Sequence, residues 1–189
     1  QRQMCIRDRI GGDSSETVSI SANESGDGTG SDVETVTITG DIGNANEIVT
    51  IAITGRDGIT LNGGSGGITL DTADDAATSP DITLTGAVTI AGTVTVTTDN
   101  TTNDGDLEFT STIRGDGDAE TTDNLDIETG AGTLTFNAST IIGGADKPLA
   151  TLDINRTGGA GNVVALDIPQ IGKTATTTAA VSYTHLTLP

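Results

Sequence analysis

Residues 106–132 read DLEFTSTIRGDGDAETTDNLDIETGAG, and residues 133–161 read TLTFNASTIIGGADKPLATLDINRTGGAG. Laid over one another, Leu107 meets Leu134, Phe109 meets Phe136 and Ile113 meets Ile141. Leu125 and Ile127 meet Leu152 and Ile154, and Gly130-Ala-Gly132 meets Gly159-Ala-Gly161. The units hold 27 and 29 residues, so the repeat absorbs small insertions. A third unit is expected from Asn162, with Val164 or Leu166 in the inward positions. A period of this size marks stacked units, none of which can bury its apolar face alone.

Within and upstream of these units, apolar residues alternate with Thr, Asp, Glu or Ser in short runs. Val36-Thr-Ile38, Ile51-Ala-Ile53, Ile59-Thr-Leu61, Ile68-Thr-Leu70, Ile82-Thr-Leu84, Val88-Thr-Ile90 and Val94-Thr-Val96 all show it. Period two with β-branched residues means strands with one buried face. Gly, Asn and Asp punctuate the gaps, as at Gly40-Asp41, Gly63-Gly64 and Asp104-Gly105. No segment keeps a 3.6-residue apolar spacing, so no helix is expected. The predicted fold is all-β, a parallel β-solenoid in the form of a right-handed β-helix, with roughly six to eight short coils. The alternative is a tandem of Ig-like β-sandwiches, which would show a period of about 100 residues and buried aromatics.

Composition supports a thin core. The 189 residues include 26 Gly, 36 Thr and 2% aromatics, with 27 acidic against 8 basic residues and a net charge of −19. No apolar run approaches the roughly 18 residues of a membrane-spanning helix, so membrane insertion is not expected. Nucleic acid is excluded as a partner by charge, because such an acidic chain repels phosphate. The single Cys, Met, Tyr and His (Cys5, Met4, Tyr183, His185) all lie in the first or last nine residues. Residues 1–9 and 181–189 resemble the translated read-through of sequencing adapters in assembled metagenomic sequences, and are set aside from fold reasoning as non-native scars. The remainder, 10–180, carries a net charge of −21 and no Cys, Met, His, Trp or Tyr. It is expected to be an internal fragment. It divides into an acidic, irregular β-repeat region at 10–57, solenoid repeats at 58–172, and a low-complexity linker at 173–180.

The residues present bear on three kinds of site. Without His or Cys in 10–180, a Ser-His or Cys-His device cannot be built, and no carboxylate pair stands out as a glycosidase pair. No enzyme activity is therefore expected, and no catalytic, cofactor-binding or metal-ligating residue is assigned. Calcium is the one cofactor considered, through Asp71, Asp74 and Asp75; Asp104, Asp106 and Glu108; and Asp116, Asp118, Glu120 and Asp123. Asp116-x-Asp118-x-Glu120 starts like a helix-loop-helix calcium loop, but Thr121 stands where Gly is required and Ile127 where Glu is required. A solvated acidic loop is the preferred reading. Thr35-x-Thr37-x-Thr39, Thr83-x-Thr85 and Thr93-x-Thr95-x-Thr97 resemble the flat threonine arrays of ice-binding solenoids, although Glu108, Asp126 and Asp153 interrupt the series.

Gly105-Asp-Leu-x-Phe-Thr, Gly130-Ala-Gly-Thr-Leu-Thr-Phe and Lys147-Pro-Leu-Ala-Thr-Leu resemble the repeat regions of large bacterial surface proteins of the filamentous-haemagglutinin-like and autotransporter-like kind. The likeness covers 58–168 most clearly. It implies a secreted or cell-surface stalk or display segment of an adhesin, non-catalytic. The partners it implies are neighbouring repeats of the same polypeptide and host or environmental surface glycans or proteins. A calcium- or glycan-binding module on the same scaffold is the alternative.

Overall fold

The structure is a computed structural model that describes residues 2–6, 16–22, 34–43, 48–73, 81–101, 103–117, 122–137, 140–143, 147–155 and 170–171. The expected third unit from Asn162, the Gly159-Ala-Gly161 match, the linker at 173–180 and the segment 181–189 lie outside the described residues. Among the described residues there is no helix. The strands are β1 (Arg2–Ile6), β2 (Glu16–Ala22), β3 (Glu34–Ile38), β4 (Ile48–Gly55), β5 (Gly58–Asp71), β6 (Ile82–Thr85) and β7 (Val88–Thr97). They continue as β8 (Leu107–Phe109), β9 (Ile113–Gly115), β10 (Asn124–Glu128), β11 (Leu134–Phe136), β12 (Ile141–Ile142), β13 (Thr151–Asn155) and β14 (Gln170–Ile171).

Every ladder between these strands is parallel. Antiparallel sandwiches cannot give that pattern, so the fold is a β-solenoid and the Ig-like alternative falls. The chain visits three faces in order and returns above its own previous coil. The first face stacks β1, β3, the start of β5, the start of β7, β9, β12 and β14. The second stacks the end of β5, the end of β7, β10 and β13. The third stacks β2, β4, β6, β8 and β11.

The third face carries the winding through about four turns, fewer than the six to eight expected. One coil uses three strands and three corners, and its length varies, reaching 33 residues between Val18 and Ile51, which stand in register. Ile59, Ile68 and Ile82 are successive faces of one coil, and Val88 and Val94 begin the next. Strand spacings that look irregular along the sequence are thus corners of unequal length. At about 4.8 Å per parallel neighbour, four turns give a stack on the order of 20 Å.

The core is a set of ladders along the axis. On the third face Ile51, Ile82, Leu107 and Leu134 lie in register, and beside them Ile20, Ile53, Leu84, Phe109 and Phe136. All of these are buried. The Phe109 and Phe136 rings stack with centroids 5.6 Å apart and planes 16° off parallel, an offset aromatic arrangement. Ile42, Leu70, Val96, Ile127 and Ile154 form a ladder on the second face. On the first face Val36, Ile59, Val88 and Ile113 continue to Ile142. The repeat alignment set Ile113 against Ile141; the register places Ile142 there, buried, and turns Ile141 partly outward. A one-residue slip in a strand swaps inside for outside, and only the apolar interior decides between two adjacent isoleucines.

Candidate functional site: the corner and outer-face carboxylates

The expected placement of threonine on the outside holds for most strand positions but not at the corners. Thr72, Thr98, Thr129 and Thr140 are buried. Thr72, Thr98 and Thr129 each follow the last strand residue of the second face, where Asp71, Thr97 and Glu128 are in register. Their amides extend the ladder into the corner, bonding to Thr97 O, Glu128 O and Asn155 O. Thr98 Oγ1 donates to Gly105 O at 2.6 Å, whereas Thr72 and Thr129 Oγ1 find no hydrogen-bond partner among the described residues.

Aspartates dominate these corners, and several hold a backbone amide of an adjacent coil. Asp41 Oδ1 accepts from Thr69 N–H at 2.9 Å, and Asp57 Oδ2 from Glu34 N–H at 2.8 Å. Asp104 accepts twice, from Asn100 N–H at 2.8 Å and from Ala131 N–H at 2.7 Å in the next coil. Asp106 Oδ1 accepts from Thr133 N–H at 2.7 Å. Asp123, itself buried, accepts from Gly92 N–H at 3.2 Å and Asp116 N–H at 3.0 Å. At Asp123 burial outweighs these two amide bonds and, with the nearby Asp116 charge, pushes the carboxyl above its usual range. Gly130, at φ 51°, lets the chain turn tightly past Asp104; a Cβ there would sit 2.5 Å from the Asp104 Cγ. Sequence reasoning did not find these corner bonds. Their signal was a Gly-Asp or Asp-Gly pair lying one coil length from the amide it caps, as with Asp104 and Ala131.

Outward carboxylates of the second face behave differently. Asp126 stands in register with Asp153, and Glu128 with Thr97 and Asn155. Burial pushes the Asp126 carboxyl up, the Asp153 charge pushes it further, and the Asn155 amide, 3.3 Å away, opposes them. Glu128 is pushed up by burial and then by the charges of Asp126, Asp99 and Asp71. The neighbouring row is neutral and bonded: Asn124 Nδ2 donates to Thr93 Oγ1 at 3.4 Å, and Thr151 Oγ1 to Asn124 Oδ1 at 2.8 Å.

Of the three acidic clusters only Asp104, Asp106 and Glu108 lie wholly within the described residues. Asp104 and Asp106 turn to different backbone amides, while Glu108 lies on the outer side of the third face. Lys147 Nζ donates to Asp116 O, placing a cation beside the third cluster. Asp74, Asp75, Asp118 and Glu120 lie outside the described residues. Among the described residues no three His, Cys, Asp or Glu side chains form a group that could hold a metal ion. The Thr-x-Thr segments also separate: Thr35 and Thr37 are on the first face, Thr83 and Thr85 on the third, and Thr93, Thr95 and Thr97 on the second. They form no common array. Arg56 lies 3.8 Å from Glu34, and Arg114 Nε donates to Thr89 Oγ1 at 3.3 Å.

No family model, curated protein or solved structure matches this chain.

Proposed function

We propose that the chain is a structural segment of a large secreted bacterial surface protein, a non-catalytic stalk or display rod of the filamentous-haemagglutinin-like or autotransporter-like kind. One observation carries the reading. The inner ladders stay apolar from coil to coil, while the outer positions in register accept residues of different charge and size. Thr37, Thr60, Thr89 and Arg114 share one outer row of the first face. Ala52, Thr83, Glu108 and Thr135 share one of the third. A scaffold needs the inside constant, whereas a repeated ligand array needs the outside constant. The winding is taken as right-handed, the hand found in about 98% of parallel crossovers. The high negative charge keeps such a rod soluble and discourages lateral association.

The test is a reach assay at a cell surface. The segment is inserted between a membrane anchor and an epitope, with an equal length of flexible linker as control. A rod raises access of a whole antibody to the epitope above the linker control, and its loss of structure in urea abolishes the gain. No gain over the linker, together with saturable heat on titration of the protein with calcium or a glycan panel, overturns the spacer reading in favour of a binding module.

A further inference from the structure

We infer that Asn62–Gly63 is a site of spontaneous covalent self-modification, at which the chain converts Asn62 to aspartate and isoaspartate. Asn62 is the one asparagine in the sequence that is followed by glycine. A glycine leaves its own backbone nitrogen unshielded, because no Cβ crowds the approach to it.

The local geometry favours ring closure. The Asn62 side chain is exposed, so water reaches its carboxamide, while Gly63 beside it is buried. Gly64 N–H donates to Asn62 Oδ1 at 3.0 Å. That bond folds the carboxamide back over the intervening peptide and polarises its carbonyl, which makes Cγ a better electrophile. In the ladder with β7, Asn62 pairs with Ala91 and the next paired residue is Gly64 with Gly92. Gly63 is therefore the extra residue of a bulge, outside that register, where the main chain is bent rather than held extended. The glycine cannot be exchanged, since a Cβ at position 63 would collide with the Thr93 carbonyl oxygen. The fold thus requires the small residue that makes its neighbour reactive.

The other candidates are held differently. Of the four aspartates that also precede glycine (Asp27, Asp57, Asp104 and Asp116), Asp57 and Asp104 direct their side chains to amides of other coils, and a carboxylate is a poorer electrophile than a carboxamide. Asn100 and Asn124 precede Thr101 and Leu125, whose side chains crowd the attacking nitrogen.

In the reaction, the Gly63 nitrogen gives up its proton and bonds to Asn62 Cγ. The Cγ–N bond breaks and ammonia leaves, closing a succinimide. Water then adds to either ring carbonyl and opens the ring. Opening on one side gives aspartate; opening on the other routes the main chain through Cβ and gives isoaspartate. No electrons are transferred, and water is the only co-reactant. The product adds one negative charge at the corner between the first and second faces.

The experiment uses the whole protein, incubated in mildly alkaline buffer made with oxygen-18 water, with a parallel sample in urea. Peptide mapping by mass spectrometry, with electron-transfer fragmentation, reads amide loss, oxygen-18 uptake and isoaspartate at each asparagine. The expected result is conversion at Asn62 in the folded protein at least as fast as in urea, with oxygen-18 in the new carboxyl group. Asn100, Asn124 and Asn155 should stay intact over the same period, and Asn62→Gln should lose the signal without losing the fold. Asn62 remaining amidated in the folded protein while the urea sample converts would overturn the proposal. So would equal conversion at the other asparagines.

Discussion

Two regions of this solenoid use the same residue type to opposite effect. At the corner around Asp104, a carboxylate accepts two backbone amides, one of them in the next coil. On the open second face, Asp126 faces Asp153 across a parallel ladder, and the Asp126 charge also acts on Glu128. The first arrangement fixes one coil to the next through charge-assisted hydrogen bonds. The second stacks like charges at strand spacing, which opposes the same coil contact. An excess of acid is therefore not a uniform solubilising coat: its effect depends on whether a carboxylate meets an amide or another carboxylate.

The largest expected effect comes from breaking the corner. Asp104→Ala removes both acceptors and strands the Asn100 and Ala131 amides. Hydrogen bonds to a charged group are worth about 1.5–3 kcal/mol, so urea denaturation should show a loss of roughly 2–3 kcal/mol. Asp104→Asn should lose less, because its carbonyl still accepts one amide. An alanine variant as stable as the parent would show that the corner bonds do not hold the coils together.

Much of the architecture was legible before the structure, because a parallel ladder copies the alternation of each strand onto its neighbours. Leu107 over Leu134, Phe109 over Phe136 and Leu125 over Leu152 were all readable and all stand in register. The number of turns was not. Alternation marks a strand without saying which face it lies on, so it does not tell that Ile59 and Ile68 are neighbouring faces of one coil. The corner carboxylates were invisible for a related reason. Asp104 and Ala131 are 27 residues apart, so the Asp104-Gly105 pair points to its partner only once the coil length is known. Asp116-x-Asp118 drew attention because it copied a known spacing, yet the structure pairs Asp116 with Asp123 and Lys147 instead.

A smaller effect separates two threonines that the fold treats as equivalents. Thr98 and Thr129 occupy the same corner position on successive coils, both fully buried. Thr98 Oγ1 has the Gly105 carbonyl as its acceptor, while Thr129 Oγ1 has no partner among the described residues. Thr98→Val should lower stability by about 1 kcal/mol, since it deletes a made hydrogen bond and leaves a carbonyl unmet. Thr129→Val replaces an unmet hydroxyl by a methyl of similar shape, and should be neutral or slightly stabilising. Thermal melts of the two variants should therefore fall on opposite sides of the parent or, at least, differ by that amount.

The smallest expected effect concerns the open face, and its sign is its content. Asp123, Asp126 and Glu128 all have carboxyls pushed above their ordinary values of 3.8 and 4.5. A group with a raised folded-state value binds more protons folded than unfolded, so its contribution to stability grows as pH falls through that value. The contribution is complete below the ordinary value and is lost as pH rises past the raised one. Mild acidification from pH 7 should therefore raise the melting temperature, the reverse of ordinary acid denaturation. Asp126→Asn removes the like charge opposite Asp153 and should stabilise the fold at pH 7 by about 0.5 kcal/mol, within the range for such pairs. Near the ordinary aspartate value that gain should vanish, because the raised Asp126 carboxyl of the parent is by then largely protonated. Melting curves of parent and variant should thus converge on acidification; parallel curves would mean that the Asp126–Asp153 contact does not set the pH response.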